Sequence, residues 1–165
     1  MIRMTEKYGN GNITELQKNF KTFRESKLQK MISLTTAGLV VIKSRKLLLA
    51  FSKNKKAWYL PGGKTDQDES TLDGLIREIK EELNIGLKPH ELKYYMHISA
   101  PAFGERNNTI MEQDCYINDL TEIPQTAAEI EALDYFNTAS YAFEPGQVPG
   151  VVILMEQLRK DNLID

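Results

Sequence analysis

The stretch LPGGKTDQDESTLDGLIREIKEELNI, from Leu60 to Ile85, carries the pattern on which the prediction of the fold depends. It begins with a Gly-Gly pair, typical of a turn, and continues into a segment where leucine and isoleucine recur at steps of three and four. That periodicity predicts a helix with one apolar stripe facing the core, capped by Ser70 with Asp73 in a capping-box-like role. The stripe consists of Leu72, Leu75, Ile76, Ile79 and Leu83.

Three glutamates emerge beside this apolar stripe. On the helical wheel Glu78 and Glu82 lie one turn apart at the edge of the stripe, and Glu81 lies on a more exposed side. Like charges one turn apart destabilise a helix by about a few tenths of a kcal/mol per pair. A divalent cation reverses this effect, because Mg²⁺ and Mn²⁺ prefer hard oxygen ligands. The helix therefore predicts a site for a metal ion that binds phosphates.

The residues in front of the helix supply complementary parts. Gly62 and Gly63 allow a tight bend that can bring a backbone carbonyl to a metal, and they leave room where a phosphate must approach. Arg77 directly precedes Glu78 in the sequence. It can either pair with a carboxylate and fix its rotamer, or face the substrate, and the residues alone leave both interpretations open.

Short apolar segments on either side of this helix predict a sheet. Residues 33–52 contain two apolar runs around KSRK and predict a hairpin-like pair of strands, and AWYLP, residues 57–61, predicts a third strand that ends at the glycine turn. Residues 91–100 and 109–119 predict further strands. Residues 128–137 fit either a short helical turn or an edge strand, and residues 150–162 predict a terminal helix. This order predicts an α/β fold with helices on both sides of a mixed sheet.

The segment from Gly63 to Ile85 resembles the Nudix box, G-x₅-E-x₇-R-E-U-x-E-E-x-G-U, where U is an aliphatic residue. Asn84 stands where the family has glycine, and asparagine tolerates the left-handed backbone needed after a helix end. The resemblance implies a Nudix-like α/β/α sandwich with a mixed β-sheet for residues 34–165. The matching residues are Gly63, Glu69, Arg77, Glu78, Ile79, Glu81, Glu82 and Ile85.

Residues 1–33 lie outside what this resemblance explains. We expect them to form an amino-terminal extension with an amphipathic helix, because apolar residues recur there at helical spacing. These residues are Ile13, Leu16, Phe20 and Phe23.

Similarity to the Nudix hydrolases implies an enzyme that uses water and a divalent metal to cleave the pyrophosphate linkage of a nucleoside diphosphate derivative. It implies Mg²⁺ as the cofactor, with Mn²⁺ as an alternative. It also implies that Glu81 is either a further metal ligand or the general base, that Glu69 supports the site and that Arg77 orients the glutamates. The implied metal ligands are Glu78, Glu82, Glu81 and the carbonyl of Gly62.

A downstream acid is a second source of the general base, because some Nudix enzymes recruit one. Glu112 and Asp114 alternate on one face of a predicted strand, and Glu105 lies in the loop before it. The alternative explanation for the first two is an edge strand with a solvated face. Trp58 either stacks on a base or packs in the core. The candidate substrate contacts are Gly63, Lys64 and Trp58.

Composition limits the classes of function. The 165 residues favour one domain, and 21 basic against 23 acidic residues give a formal charge of −2. That balance gives no electrostatic reason to expect polymeric nucleic acid or a membrane surface as a partner. The single cysteine, Cys115, excludes an internal disulfide, and the first residues contain no apolar segment typical of a secretory signal. We therefore expect a cytoplasmic protein that acts on a small nucleotide, with homodimerisation left open.

Two other functions fit parts of the same sequence. A Nudix-fold module that senses a nucleotide without cleaving it would be expected to lose carboxylates of the box, and this chain keeps them all. An RNA-end hydrolase would be expected to carry a basic excess, because affinity for RNA depends on neutralising phosphates. Both are alternatives to a hydrolase acting on nucleoside triphosphates, nucleotide sugars or ADP-ribose.

Overall fold

A mixed four-stranded sheet forms one layer of the protein in the computed structural model, which describes residues 31–106 and 108–165. Strand β1 (Ile32–Val40) pairs in parallel with β7 (Thr109–Ile117). Strand β5 (Gly62–Lys64) pairs antiparallel with β1, and β6 (Lys93–Pro101) pairs antiparallel with β7. The order across the sheet is β5-β1-β7-β6. The predicted helix at the amino terminus lies outside the described residues.

A second sheet is antiparallel and is built around β3 (Lys46–Ser52). Strand β3 pairs with β2 (Ile42–Lys43), β4 (Ala57–Tyr59) and β8 (Ile130–Phe136). Of the predicted hairpin of residues 33–52, only β2 and β3 pair with each other. Ser44 and Arg45 between them adopt φ angles of 50° and 59°, which suit a two-residue hairpin turn. Most of the first apolar run forms β1 and joins the mixed sheet instead. Residues 128–137 contain a strand rather than a helical turn.

Helices contribute to two separate apolar clusters, which gives the layered α/β/α arrangement that the sequence predicts. Helix α1 (Thr71–Leu83) packs into one cluster, and helix α3 (Pro149–Lys160) packs into the other. A short helix α2 (Thr138–Tyr141) and a single 3-10 turn (Pro89–Glu91) complete the helical segments of the described residues. Buried members of the α1 cluster include Leu39, Leu48, Leu75, Ile79 and Leu83, and those of the α3 cluster include Leu49, Ile98, Cys115, Leu154 and Leu158.

Gly62 and Gly63 form part of strand β5 rather than the turn that the sequence predicts. Gly62 has a φ angle of +125°, and a Cβ atom there would lie 2.3 Å from the carbonyl oxygen of Ala37 on the neighbouring strand. A residue with a side chain could not take this position without displacing β1 or β5. Gly62 thus lets β5 pair closely with β1.

No helix within the described residues combines the length and the apolar character that a membrane span requires.

Candidate active site

Helix α1 begins and ends at the residues that the sequence predicts. The Ser70 hydroxyl accepts a hydrogen bond from the backbone N–H of Asp73 at 3.1 Å, and it donates to the Asp73 carboxylate at 2.6 Å. Asn84 follows the last turn with φ 55° and ψ 30°, a left-handed conformation, and its N–H bonds to the carbonyl of Lys80. These two ends fix the register of the helix, and with it the direction in which each glutamate points.

Arg77 pairs with carboxylates, which decides between the two interpretations open at the sequence level. Its guanidinium donates two hydrogen bonds to Glu69, at 3.0 and 2.9 Å, and one to Glu78 at 2.7 Å. A fourth bond reaches the carbonyl of Lys64 at 3.0 Å. The Arg77 hydrogen bonds, with one from the backbone of Asp66, lower the pKa of Glu69 to about 2. Arg77 therefore ties the start of helix α1 to strand β5 and holds Glu78 in one orientation.

Glu82 is a buried acidic residue, with only 7% of its surface exposed. It accepts a hydrogen bond from the N–H of Gly62 at 3.1 Å. Burial raises the pKa of Glu82 to about 8, and the neighbouring Glu78, Glu129 and Glu81 add to the rise, while the Gly62 bond opposes it. Glu82 therefore favours the protonated form unless a cation compensates its charge.

Glu78, Glu81 and Glu82 line one cavity of about 500 Å³. Gly63 lies against the first of them, since a Cβ at Gly63 would come within 2.6 Å of the Glu78 carboxylate. Glu81 has the most exposed side chain of the three, at 58%, and lies 3.7 Å from Arg77. The three glutamates predicted to form the site therefore lie together on one wall of the cavity.

This donor set fits a hard divalent cation. Within residues 31–106 and 108–165 no three acidic, histidine or cysteine side chains are already drawn together as a metal cluster. The Glu78 carboxylate is held by Arg77, and that of Glu82 by the N–H of Gly62. However, the donors are oxygen atoms that repel one another in a partly desolvated cavity, and such a set gains most from Mg²⁺ or Mn²⁺. The Gly62 carbonyl stays a predicted ligand.

Glu129 is a cavity residue that sequence reasoning did not single out. The loop before β8 docks on the end of helix α1, where the N–H of Ala127 bonds to the carbonyl of Glu82 at 2.8 Å. This contact places the Glu129 carboxylate where it raises the pKa of Glu82. Asn54 also donates a hydrogen bond to Glu129, at 2.6 Å. In the sequence, Glu129 is an acid at the start of the strand segment AEIEALDYF. No local pattern there indicates that it belongs to the site.

Two lysines lie in the same cavity as the glutamates. Lys64, a predicted substrate contact, follows Gly63 at the end of β5, and Lys55 comes from the turn between β3 and β4. Both contact the carboxylate of Glu105, at 2.9 Å from Lys55 and 3.1 Å from Lys64. Glu105, one of the candidate bases, is thus paired with cations, and its pKa is lowered by these hydrogen bonds.

Trp58 lies outside this cavity, contrary to its predicted role as a substrate contact. Its ring packs 5.2 Å from that of Phe51 and 4.9 Å from that of Phe136, which is the core role that the sequence left open. Successive residues of a strand point to opposite faces, so the next residue, Tyr59, lines the cavity instead, together with Phe103.

Glu112 also lies outside the cavity, although it was a candidate base. Its neighbours in β7, Met111 and Gln113, line the cavity, and the alternation of a strand turns Glu112 to the other face. There its carboxylate accepts one hydrogen bond from the Ser99 hydroxyl, at 2.9 Å. It forms a second hydrogen bond with a ring nitrogen of His97, at 2.8 Å. Asp114 shares this face and bonds to the other ring nitrogen of His97. The side chains of Glu112 and Asp114 are 33% and 26% exposed, so they lie on a partly solvated face of the strand. The predicted edge strand is wrong, because β7 lies between β1 and β6 in the mixed sheet.

The chain belongs to the NUDIX family, since the family model for the NUDIX domain matches residues 33–153. It is 29% identical over 117 residues to the mRNA-decapping enzyme subunit 2 of Saccharomyces cerevisiae, a match that covers 68% of this chain. The chain spans only 11% of the length of that relative.

Solved structures of other proteins share this fold. The MutT protein from Methanosarcina mazei superposes with a TM-score of 0.66 at 15% identity, covering 81% of this chain and 97% of that protein. A bifunctional NMN adenylyltransferase/ADP ribose pyrophosphatase from Francisella tularensis, complexed with AMP and a manganese ion, superposes with a TM-score of 0.57 at 17% identity. That match covers 92% of this chain and 49% of the other. The Nudix-like α/β/α sandwich with a mixed sheet is thereby confirmed.

Proposed function

We propose that the protein is a divalent-metal-dependent pyrophosphohydrolase that cleaves a nucleoside diphosphate derivative by attack of water at phosphorus. The observation that carries the proposal is the convergence of Glu78, Glu81 and Glu82 on one cavity that also contains Lys55 and Lys64. Carboxylates suit the metal, and ammonium groups suit the phosphates that the metal would share.

The metal would be held by Glu78 and Glu82, with the Gly62 carbonyl as a further ligand. Mg²⁺ fits this oxygen donor set and Mn²⁺ is an alternative, as in the manganese complex of the Francisella tularensis structural neighbour. When bound, the ion neutralises diphosphate charge and makes a water molecule more acidic.

The other residues of the box orient the ligands and move a proton. Arg77 holds the Glu78 carboxylate in one orientation by a hydrogen bond, and Glu69 in turn holds Arg77 by two hydrogen bonds. Glu81 is the exposed carboxylate of the cluster, and we assign to it the role of the general base that accepts a proton from the attacking water. A general base of this kind contributes about 10²–10⁴-fold to the rate. Glu129 is the second carboxylate available for that task.

The direct test is a panel of nucleoside triphosphates, nucleotide sugars, ADP-ribose and dinucleoside polyphosphates, incubated with the full chain and Mg²⁺. Release of phosphate or pyrophosphate, measured with coupled phosphatase where needed, is the expected result, and EDTA should abolish it. Tight binding of a nucleotide without turnover of any member would support the sensor alternative instead.

Hydrolysis of an RNA end is a second candidate, favoured by the 29% identity to a decapping enzyme subunit. The near-neutral charge of the chain, −2, opposes it, because RNA affinity rests largely on phosphate neutralisation. A capped oligoribonucleotide belongs in the same panel. Its cleavage at a rate above that of free nucleotides would replace the first proposal.

We also propose a cytoplasmic location, which is supported by the single, buried cysteine, Cys115.

A further inference from the structure

One oxygen atom of Glu105 is shared by two lysines. Its Oε1 lies 2.9 Å from the Nζ atom of Lys55 and 3.1 Å from that of Lys64. All three side chains line the cavity of the candidate active site, and the chemistry proposed above does not use Glu105. The two ammonium groups come from different parts of the chain and converge on a single oxygen atom. A phosphate oxygen in the same position would bind both of them equally well.

Neighbouring residues hold this arrangement in place. The Nζ atom of Lys55 lies 5.4 Å from the centre of the Tyr59 ring, and the Tyr59 hydroxyl donates to the carbonyl of Phe103 at 3.1 Å. Gly104 has a φ angle of +75°, and a Cβ there would lie 3.2 Å from the Lys55 side chain. The backbone before Glu105 is therefore fixed close to Lys55. The two lysines lower the pKa of Glu105, so that it is an anion at neutral pH.

We propose that Lys55 and Lys64 form a phosphate subsite in which Glu105 occupies the position of the anion until a substrate with a free terminal phosphate displaces it. This inference rests on the proposed function, because it assigns the substrate class of the same cavity. Lys64 directly follows Gly63, which contacts the Glu78 carboxylate, so the subsite adjoins the glutamates that would hold the metal.

The charge of the incoming group decides whether displacement is favourable. A terminal phosphate carries about −1.5 to −2 charges at neutral pH. A phosphate esterified on both sides carries a single charge, as Glu105 does, and replacing one single charge by another gains little from the two lysines. The subsite therefore selects nucleotides that end in a free phosphate over sugar-linked or nucleoside-linked diphosphates.

To compare these two classes, we propose to measure the binding of ADP and of ADP-ribose to the full chain in EDTA. The two ligands share the same nucleotide and differ in the terminal group. Two-dimensional NMR of ¹⁵N-labelled protein measures both affinities into the millimolar range and reports on the fold of every variant. The variants are Glu105→Gln, Lys55→Met and, as a matched control, Lys88→Met, which breaks an exposed ion pair with Glu91.

We expect the wild type to bind ADP more tightly than ADP-ribose. Glu105→Gln should strengthen ADP-ribose binding by about tenfold and reduce the preference for ADP, since the internal competitor is gone. Lys55→Met tests the subsite independently and should weaken ADP binding by about tenfold, whereas Lys88→Met should match the wild type.

The inference is overturned by equal affinities in the wild type, by an unchanged affinity of Glu105→Gln for ADP-ribose, or by the absence of ADP-dependent shifts at millimolar ligand. It is also overturned if Lys88→Met weakens ADP binding as much as Lys55→Met. The titration involves neither metal nor turnover, so its failure leaves the hydrolase proposal intact. A nucleotide panel without turnover would reject the hydrolase and leave the measured binding preference standing.

Discussion

Glu82 has two properties that both disfavour its charged form as long as no cation is bound. It is almost fully buried, and three other carboxylates, those of Glu78, Glu81 and Glu129, raise its pKa further. A structural acid in such a place would be destabilising, because burial of an uncompensated charge is costly. The residue therefore fits a protein that gains a divalent ion at this position.

Replacing Glu82 by glutamine should separate function from stability. Glutamine keeps the shape and can still accept the Gly62 hydrogen bond, but it is a poor metal ligand. We expect kcat/KM with Mg²⁺ to fall by more than about 100-fold, since loss of even indirect partners of metal ligands costs about 10–100-fold. The melting temperature in EDTA should stay at or above that of the wild type. Full activity in Glu82→Gln would remove this residue from the site.

The metal-free protein should lose stability as the pH rises. The ordinary pKa of a glutamic acid is 4.5 and that of Glu82 in the folded protein is about 8, so the folded state holds the proton more tightly than the unfolded state. The stabilising contribution of this proton is complete below pH 4.5 and is lost as the pH rises to about 8. Thermal melts in EDTA from about pH 5 to about pH 9 measure it.

Glu82→Gln provides the control for this pH dependence, because it removes the titrating group. The wild type should become progressively less stable than the variant across the same interval. Parallel curves for the two proteins would contradict the assignment of the raised pKa to Glu82.

At the scale of elements, the site depends on the contact between strand β5 and helix α1. Arg77 of α1 donates a hydrogen bond to the carbonyl of Lys64 in β5, and Glu82 of α1 accepts one from the N–H of Gly62 in β5. These bonds bring the backbone of β5 against the carboxylates of α1. Glycine is needed at this contact because the backbone of one element lies where a side chain would otherwise stand.

Gly63→Ala should therefore damage the site more than the fold. Its methyl group would come within 2.6 Å of the Glu78 carboxylate, so that this carboxylate must move away from Arg77. We expect kcat/KM to drop by about tenfold or more, which corresponds to about 1.4 kcal/mol of transition-state stabilisation. Steady-state kinetics and thermal melts of the variant measure both quantities.

Gly86→Ala is the matched control, because a Cβ at Gly86 meets no atom within 4 Å. It should retain the activity of the wild type. If both variants behave alike, the close approach of Gly63 to Glu78 is not what the activity depends on.

At the scale of the whole molecule, the cavity is assembled from segments far apart in the chain. Helix α1 contributes the glutamates, strand β5 contributes Lys64, the β6–β7 loop contributes Glu105, and the residues before β8 contribute Glu129. Helix α3 adds apolar residues such as Val151. All of these segments belong to the compact unit Ile32–Asp165.

This organisation predicts that residues 1–30 can be removed without loss of the site. We propose that they form an extension to the catalytic domain, whose predicted start at residue 34 lies just after the first residue of β1, Ile32. A chain of residues 31–165 should melt in one cooperative transition and should bind Mg²⁺ as the full chain does. Calorimetry and titration with Mg²⁺ test this, and an unfolded truncated chain would show that the boundary is wrong.

Much of helix α1 could be predicted from sequence because its determinants are local. The spacing of Leu75, Ile79 and Leu83, the Ser70 cap and the left-handed Asn84 act within a few residues of one another, and the structure confirms each of them. The same periodicity placed Glu78 and Glu82 at the edge of the stripe and Glu81 beside them on a more exposed side.

Only the tertiary structure decided which other residues join them. The two faces of a strand look alike in a sequence, so Glu112 and Trp58 were as plausible as their neighbours until pairing in the sheets turned them away from the cavity. Glu129 and the link from Glu105 to Lys55 and Lys64 depend on loops that meet through long-range contacts. The sequence by itself determined the helix and the placement of its glutamates, because hydrophobic periodicity and capping are short-range. The remainder of the site required the packed sheets, because a cavity is defined by segments distant in the chain.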